Sequence, residues 1–355
     1  MDRILDAASR IETLRPVVPV EDKVAFLSDP QHFPGKVRSV EARETHMSWV
    51  FLTEDLVYKL KKPVRFAYLD FSTLERRAAA CRAEYELNRR LAPNVYLAVA
   101  PLTASPEGLA VDGDGAVVDW LVVMRRLALE RSLEAALLTR RLQPVQVERI
   151  ASTLWEFYRH ARHVLVQPAR HLLDWRRAIG ANRSVLCDPR LRLPAGRIGW
   201  IVTLQQRFLS ERAETLAARL RAGRIVDAHG DLRPEHVWLT DPVTIIDCLE
   251  FDPRLRALDP LDEVAFLHLE CERLGARWAG ERIRRHLAAA LGEDRASGLF
   301  LFYRSHRAML RARLSIAHLL DPMPRMPEKW PRQARHYLRL AAQDAMQLEQ
   351  LLRRP

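Results

Sequence analysis

The stretch from Ala228 to Glu250, A-H-G-D-L-R-P-E-H-V-W-L-T-D-P-V-T-I-I-D-C-L-E, constrains this chain more than any other. Two short runs rich in β-branched residues, Val237–Thr240 and Val243–Ile246, flank Asp241-Pro242. Aspartate followed by proline suits the first two positions of a type I turn, so the pattern predicts a hairpin. A hairpin folds the end of the second run back beside the start of the first. Asp247 then returns to within a residue or two of His236 and close to Asp231. The register depends on the turn and stays open.

His229-Gly230-Asp231-Leu232 resembles the H-R-D-L of protein-kinase catalytic loops, in which the aspartate is the base. Five residues on, where kinases place an asparagine on the second metal, stands His236. Phosphoryl transfer passes through a loose transition state, so catalysis rests on positioning and charge neutralisation. One carboxylate orients the acceptor hydroxyl and another holds the magnesium bridging the phosphates. Asp231 and Asp247 fit those two roles in that order.

H-G-D-L-R-P-E-H followed by I-I-D-C-L-E-F resembles the aminoglycoside phosphotransferase and choline kinase group. More narrowly, it resembles the kinase-like half of bacterial proteins that often carry a second, P-loop domain. The resemblance implies an α+β, two-lobed kinase-like fold, with a small antiparallel N-lobe and a larger helical C-lobe. It implies ATP and Mg2+ as cofactors, with Mn2+ an option because imidazole suits softer ions. No G-x-x-x-x-G-K-[ST] occurs, so the P-loop domain is expected to be absent.

The chain has 355 residues, 48% hydrophobic and 28% charged, which is ample for a sizeable core. The N-terminus lacks the look of a signal peptide, and no apolar run is long enough to span a membrane. Cys81, Cys187, Cys248 and Cys271 are scattered without metal or disulfide spacing, which fits a cytoplasmic protein. The net charge of +11 comes mostly from arginines spread along helices rather than gathered into a block. A nucleic-acid or membrane partner is therefore not expected, and the oligomeric state is not legible.

In chain order, residues 1–35 read as a helical extension and residues 36–126 as a nucleotide-binding lobe with a five-stranded antiparallel sheet. Residues 127–355 read as a helical lobe carrying the catalytic loop 228–236 and the metal-binding strand 243–250. The turn Glu44-Thr45-His46-Met47-Ser48 stands where kinases carry a glycine-rich phosphate loop, yet it has no glycine. Two readings stay open: Thr45, His46 and Ser48 offer side-chain donors to phosphates, or the turn is a plain hairpin corner. Val57-Tyr58-Lys59-Leu60 resembles the kinase lysine strand, making Lys59 the phosphate contact. Lys61 shares its face of the strand and Lys62 does not. Only six lysines occur in the chain, so three here are notable. The helix near Ser72–Leu91 offers Glu84 and Glu86 to Lys59, and the family pattern of Cys81, Glu84 and Leu87–Pro93 favours Glu84. Val122–Arg126 should form the hinge, with the backbone at Met124 and Arg125 meeting adenine.

Beyond the hinge, Pro144–Ala161 and Ile198–Arg221 show helical periodicity, whereas 163–194 reads as irregular. Asp259 suits a helix N-cap before Pro260. The pattern D-x-x-D-E matches the family, which makes Asp262 the acid expected to tie down the catalytic-loop backbone. Arg304, Arg307 and Arg311 share one helix face. They read either as a solvated or salt-bridged face or as a site for an anionic group on the acceptor. The expected function is transfer of the γ-phosphoryl group of ATP to a hydroxyl on a small molecule. The alternative is a catalytically silent nucleotide-binding or scaffold protein on the same fold.

Overall fold

A computed structural model describes residues 17–66, 69–321 and 323–353. The chain divides into two compact units, residues 1–128 with 245–252, and residues 129–244 with 253–355. The segment carrying Asp247 lies outside any strand and belongs with the sheet-containing unit, although the chain on either side of it belongs to the helical one.

The first unit starts with helix α1 (Val20–Ser28), followed by strands β1 (Glu41–Glu44), β2 (Ser48–Leu52) and β3 (Leu56–Lys61). A two-strand ribbon, β4 (Arg65–Phe66) and β5 (Leu69–Asp70), leads into helix α2 (Leu74–Asn88), capped by the Thr73 hydroxyl. Strands β6 (Tyr96–Ser105), β7 (Gly108–Val111) and β8 (Ala116–Arg125) complete the sheet. Its order is β1-β2-β3-β8-β6-β7, six strands rather than five. The extra strand, β7, pairs with β6 after the turn that ends at Gly108, whose φ of 122° favours glycine. Asp112–Gly115 then runs from the sheet edge across to β8. Strand alternation divides the core. Phe51, Tyr58, Leu60, Leu121 and Val123 pack under α1 through Leu27, and Val57, Val122 and Met124 pack with Tyr96 and Cys81 of α2. A buried trio fastens both helices: Lys23 of α1 and Arg77 of α2 each donate to Asp119 of β8, at 2.7 Å and 2.8 Å.

The helical unit comprises α3 (Leu133–Leu138), α4 (Pro144–His160), α5 (Pro168–Leu186), α6 (Ala195–Glu211) and α7 (Ala213–Arg221). Strands β9 (Val226–Asp227) and β10 (Val237–Trp238) follow, with β11 (Thr244–Ile245) at the unit boundary and β12 (Ala257–Leu258) beyond it. Helices α8 (Pro260–Arg273), α9 (Arg277–Leu287), α10 (Leu299–Ala317) and α11 (Lys329–Leu352) complete it. β10 and β11 form the hairpin, closed where Thr240 donates to the Pro242 carbonyl at 2.7 Å. Helix α8 is buried along nearly its whole length and packs mainly against α9 and α10.

Two expectations are corrected. Residues 163–194 are not irregular, because Pro168–Leu186 is helical. Its inward stripe is thin, with Ile179, Asn182 and Leu186 buried, and Gly180 interrupts the pattern. The span 198–221 is two helices, broken at Arg212, where φ is −121°. Residues 1–16 of the expected N-terminal extension lie outside the described residues. Among the described residues no helix is long and apolar enough to cross a membrane, and all four cysteines carry free thiols.

Candidate active site

The first unit holds a buried charge cluster. Lys59 and Lys61 alternate with Leu60 along β3, so both ammonium groups emerge on the face covered by α2. Lys59 Nζ donates to Glu84 Oε1 at 2.8 Å and to Asp247 Oδ1 at 3.1 Å. Lys61 Nζ donates to Glu84 Oε2 at 2.6 Å and to Glu250 Oε1. Both oxygens of Glu84 are thus engaged, one by each lysine. Glu84 and Lys61 are each 1% exposed, whereas the Asp247 side chain is 47% exposed. Glu86, its competitor in the sequence, points to solvent.

Burial alone would lower the pKa of Lys59, but Asp247 and Glu84 outweigh it and hold it well above the ordinary lysine value. Burial likewise pushes Glu84 up, and Lys59 and Lys61 bring it below the usual carboxylate range. Three carboxylates against two ammonium groups leave the cluster one negative charge in excess, and the exposed member is Asp247.

The backbone around Asp247 is pinned to the same unit. Ile245 N donates to the Leu91 carbonyl at 3.3 Å, Asp247 N to the Tyr96 hydroxyl at 3.3 Å, and Cys248 N to Asn88 Oδ1 at 2.8 Å. These ties hold Asp247 at φ 65°, a left-handed conformation that is uncommon for non-glycine residues, although aspartate tolerates it better than most.

The helical unit carries the loop of Asp231. Gly230 has φ 91°, which requires glycine where protein kinases have arginine. Its amide and that of His229 both donate to the Glu263 carboxylate, the latter at 3.1 Å, and Tyr158 donates to Glu263 at 3.1 Å. Glu263, not Asp262, therefore ties down this loop. Asp262 instead accepts two bonds from Arg307. The pattern D-x-x-D-E does not say which of two adjacent acids faces the loop, since neighbouring helix positions differ by about 100°.

Asp231 is gripped by Arg233, whose Nη2 lies 2.8 Å from Oδ2. Burial would raise its pKa, but Arg233, His236 and Arg311 together lower it below the ordinary value. His236 donates from Nδ1 to the Asp231 carbonyl at 2.9 Å, and its Nε2 accepts from Arg233 Nη2 at 3.2 Å. Both ring nitrogens are engaged inside the loop. A direct bond from His236 to a metal would have to replace one of these two contacts.

The turn Thr45–Ser48 is closed by its own groups. Thr45 Oγ1 donates to the Ser48 carbonyl at 2.8 Å and accepts from Ser48 N at 2.9 Å, and Ser48 is buried. His46 stacks on Phe66, and Lys62 donates to the Thr45 carbonyl at 2.7 Å. This is a self-contained hairpin corner with Lys62 beneath it. At the end of β8, Met124 is buried, Arg125 N donates to Val95 O at 2.8 Å, and Arg126 N donates to Asp55 O at 2.7 Å. The amide of Arg125 is thus already bonded.

Arg304, Arg307 and Arg311 are paired with carboxylates: Glu272 at 2.7 Å, Asp262 at 2.6 Å and Glu270 at 3.2 Å. The stripe joins helices rather than presenting an anion site.

No family model matches the sequence. An uncharacterized protein of Mycobacterium tuberculosis (strain ATCC 25618 / H37Rv) is 33% identical over 296 residues, covering 80% of this chain and 56% of that protein. An uncharacterized protein of Mycobacterium bovis matches to the same extent, so the chain spans about half the length of these curated relatives. Among solved structures, the choline kinase of Cryptosporidium parvum Iowa II aligns with a TM-score of 0.53 at 13% identity, covering 94% of this chain and 97% of that one. A choline/ethanolamine kinase family protein from Mesorhizobium loti aligns at 0.50 and 17% identity, covering 95% of each chain. An ethanolamine kinase of Plasmodium vivax aligns at 0.50 and 11% identity, covering 88% of this chain and 84% of that one. The chain shares its α+β fold with the choline and ethanolamine kinases among these solved structures.

Proposed function

We propose that this chain is an ATP-dependent phosphotransferase that moves the γ-phosphoryl group to a hydroxyl of a small-molecule acceptor. The observation that carries this reading is Lys59, a part-buried ammonium held between Glu84 and the half-exposed Asp247. Glu84 orients Lys59, and Lys59 meets the α- and β-phosphates. Asp247 is an oxygen donor of the kind that magnesium takes, usually with phosphates completing the shell. A bound magnesium ion would neutralise charge on those phosphates. Asp231, kept ionised by Arg233, accepts the proton of the acceptor hydroxyl. His236 braces that loop rather than serving a metal. Adenine meets the chain along the hinge at Met124 and Arg125, at backbone groups other than the amides of Arg125 and Arg126.

A small acceptor is favoured over a protein because Gly230 replaces the arginine that would answer a phosphorylated activation loop. The segment from Asp247 to the start of α8 at Pro260 is also too short to form one. A second reading, a silent nucleotide-binding protein, draws support from the glycine-free turn whose Thr45 and Ser48 bond to each other.

ATP turnover over a panel of hydroxyl metabolites, with magnesium or manganese, tests the two readings. Turnover should appear with one acceptor class, and Asp231→Asn should lower it on the order of a hundredfold or more while nucleotide affinity holds. Because the Asp231 pKa is lowered, the base stays ionised in mild acid, and the acid limb of the rate profile should lie below the ordinary aspartate range. Nucleotide binding with no turnover across the panel would favour the silent reading.

A further inference from the structure

We propose that Lys61 and Glu250 are positioning residues, a buried relay that fixes the Glu84 carboxylate and the segment carrying Asp247. The inference deepens the phosphotransferase reading and rests on it for its kinetic consequence. Lys61 is 1% exposed, so it cannot reach a nucleotide. Among the described residues its ion-pair partners are two carboxylates from segments far apart in sequence, Glu84 of α2 and Glu250 beyond β11.

A carboxylate turns easily about its last torsion, whose preference is broad. Lys59 alone would hold one oxygen of Glu84 and leave that rotation loose. Lys61 takes the other oxygen, so the direction in which Oε1 presents to Lys59 is set. The same ammonium anchors Glu250, three residues past Asp247. On the other side of Asp247 the backbone is tied at Ile245, and Cys248 is tied to Asn88. Asp247 is therefore clamped from both directions, which is how a residue at φ 65° is kept in place. Lys61 also lies 5.0 Å from the Phe71 ring centroid, which walls it from water. Loss of Glu250 would leave this buried ammonium on Glu84 alone, which shifts Lys61 and, through it, the Glu84 carboxylate.

The test compares the full-length wild type with Glu250→Gln, Lys61→Met and Glu250→Asp, using Glu86→Gln as an exposed control on the same helix. Two readouts need no turnover: hydrogen exchange of residues 246–251, and methylation of Lys59 by formaldehyde and borohydride, scored against Lys36. Glu250→Gln should raise exchange of 246–251 and Lys59 labelling about tenfold, with α1 and α10 unchanged. It should lower kcat/KM for ATP about a hundredfold, the scale of a misplacement near 1 Å, and Glu250→Asp should restore part of it. Unchanged exchange at 246–251 overturns the relay. A uniform rise across both units with a lowered Tm also overturns it, since that is ordinary stability loss. Should the wild type transfer no phosphoryl group, the activity reading fails while exchange and labelling still decide the relay.

Discussion

Arg307 grips Asp262 with two parallel bonds, Nε to Oδ1 at 2.8 Å and Nη2 to Oδ2 at 2.6 Å, and both side chains are buried. Such a pair adds geometric specificity because the planar fork matches the carboxylate. It joins α10 to the start of α8, one residue before Glu263. The arginine that the sequence offered to an anionic acceptor is thus part of the frame behind the loop of Asp231. Arg307→Ala should destabilise the protein by about 3–5 kcal/mol, as expected when one partner of a buried pair is removed. Urea unfolding checks this. A fully stable variant with a raised acceptor KM would return Arg307 to the acceptor site.

Glu263 should matter to turnover more than its place outside the reacting groups suggests. Glu263→Gln replaces one carboxylate oxygen with a donor that opposes the amide of His229 or Gly230. The cost should be about 1–3 kcal/mol, the range for an unsatisfied buried group, concentrated in the loop. We expect a lower kcat with nucleotide affinity retained. Asp262→Asn serves as the comparison, since it should lower stability without that selective effect on kcat.

His236 uses both ring nitrogens within the loop, so it should not set metal preference. His236→Asn should reduce turnover with magnesium and manganese by the same factor, through loss of the bonds to the Asp231 carbonyl and to Arg233. A changed ratio between the two metals would place the ring at the metal after all.

Asp344 of α11 predicts a pH-dependent stability. Burial raises its pKa to about 7, with Arg304 opposing the shift and Glu272 adding to it. The folded state then holds a proton that the unfolded chain releases near the ordinary value for aspartate. Between those two values the folded state binds more protons, so this contribution falls as pH rises, by up to about 1.4 kcal/mol per pH unit. Unfolding midpoints at pH 5 and pH 8 should differ more in the wild type than in Asp344→Asn. Equal differences would exclude the effect.

The kinase-like fold was legible because its signals are local: the lysine strand, the hairpin around Asp241-Pro242 and the proline-led start of α8. Lys59, Glu84 and Asp247 could be singled out because each lies in a recognisable local pattern. What stayed hidden depends on long-range pairing. Alternation puts Lys61 beside Lys59, but nothing near Lys61 in sequence announces Glu250. The choice between Asp262 and Glu263 turns on one step of helix rotation. The three arginines of α10 share a face in any helix, and only the acids of α8 and its C-terminal turn decide whether that face is a site or a seam. Helix α5 was missed because its buried stripe is sparse, Ile179, Asn182 and Leu186, and Gly180 interrupts it.

The segment 245–252 gives this protein an unusual kind of indivisibility. A clone ending at Ala128 would contain every strand of the six-stranded sheet, yet not a complete unit. Lys61 would lose Glu250, Asn88 and Tyr96 would lose the backbone groups they bind, and Leu91 would lose the amide of Ile245. Conversely, a peptide copying residues 245–252, supplied in trans, has a ready-made berth in such a fragment. The boundary between the two units is therefore drawn through the folded chain and not along the sequence, and neither half can be inherited or exchanged as a single continuous piece.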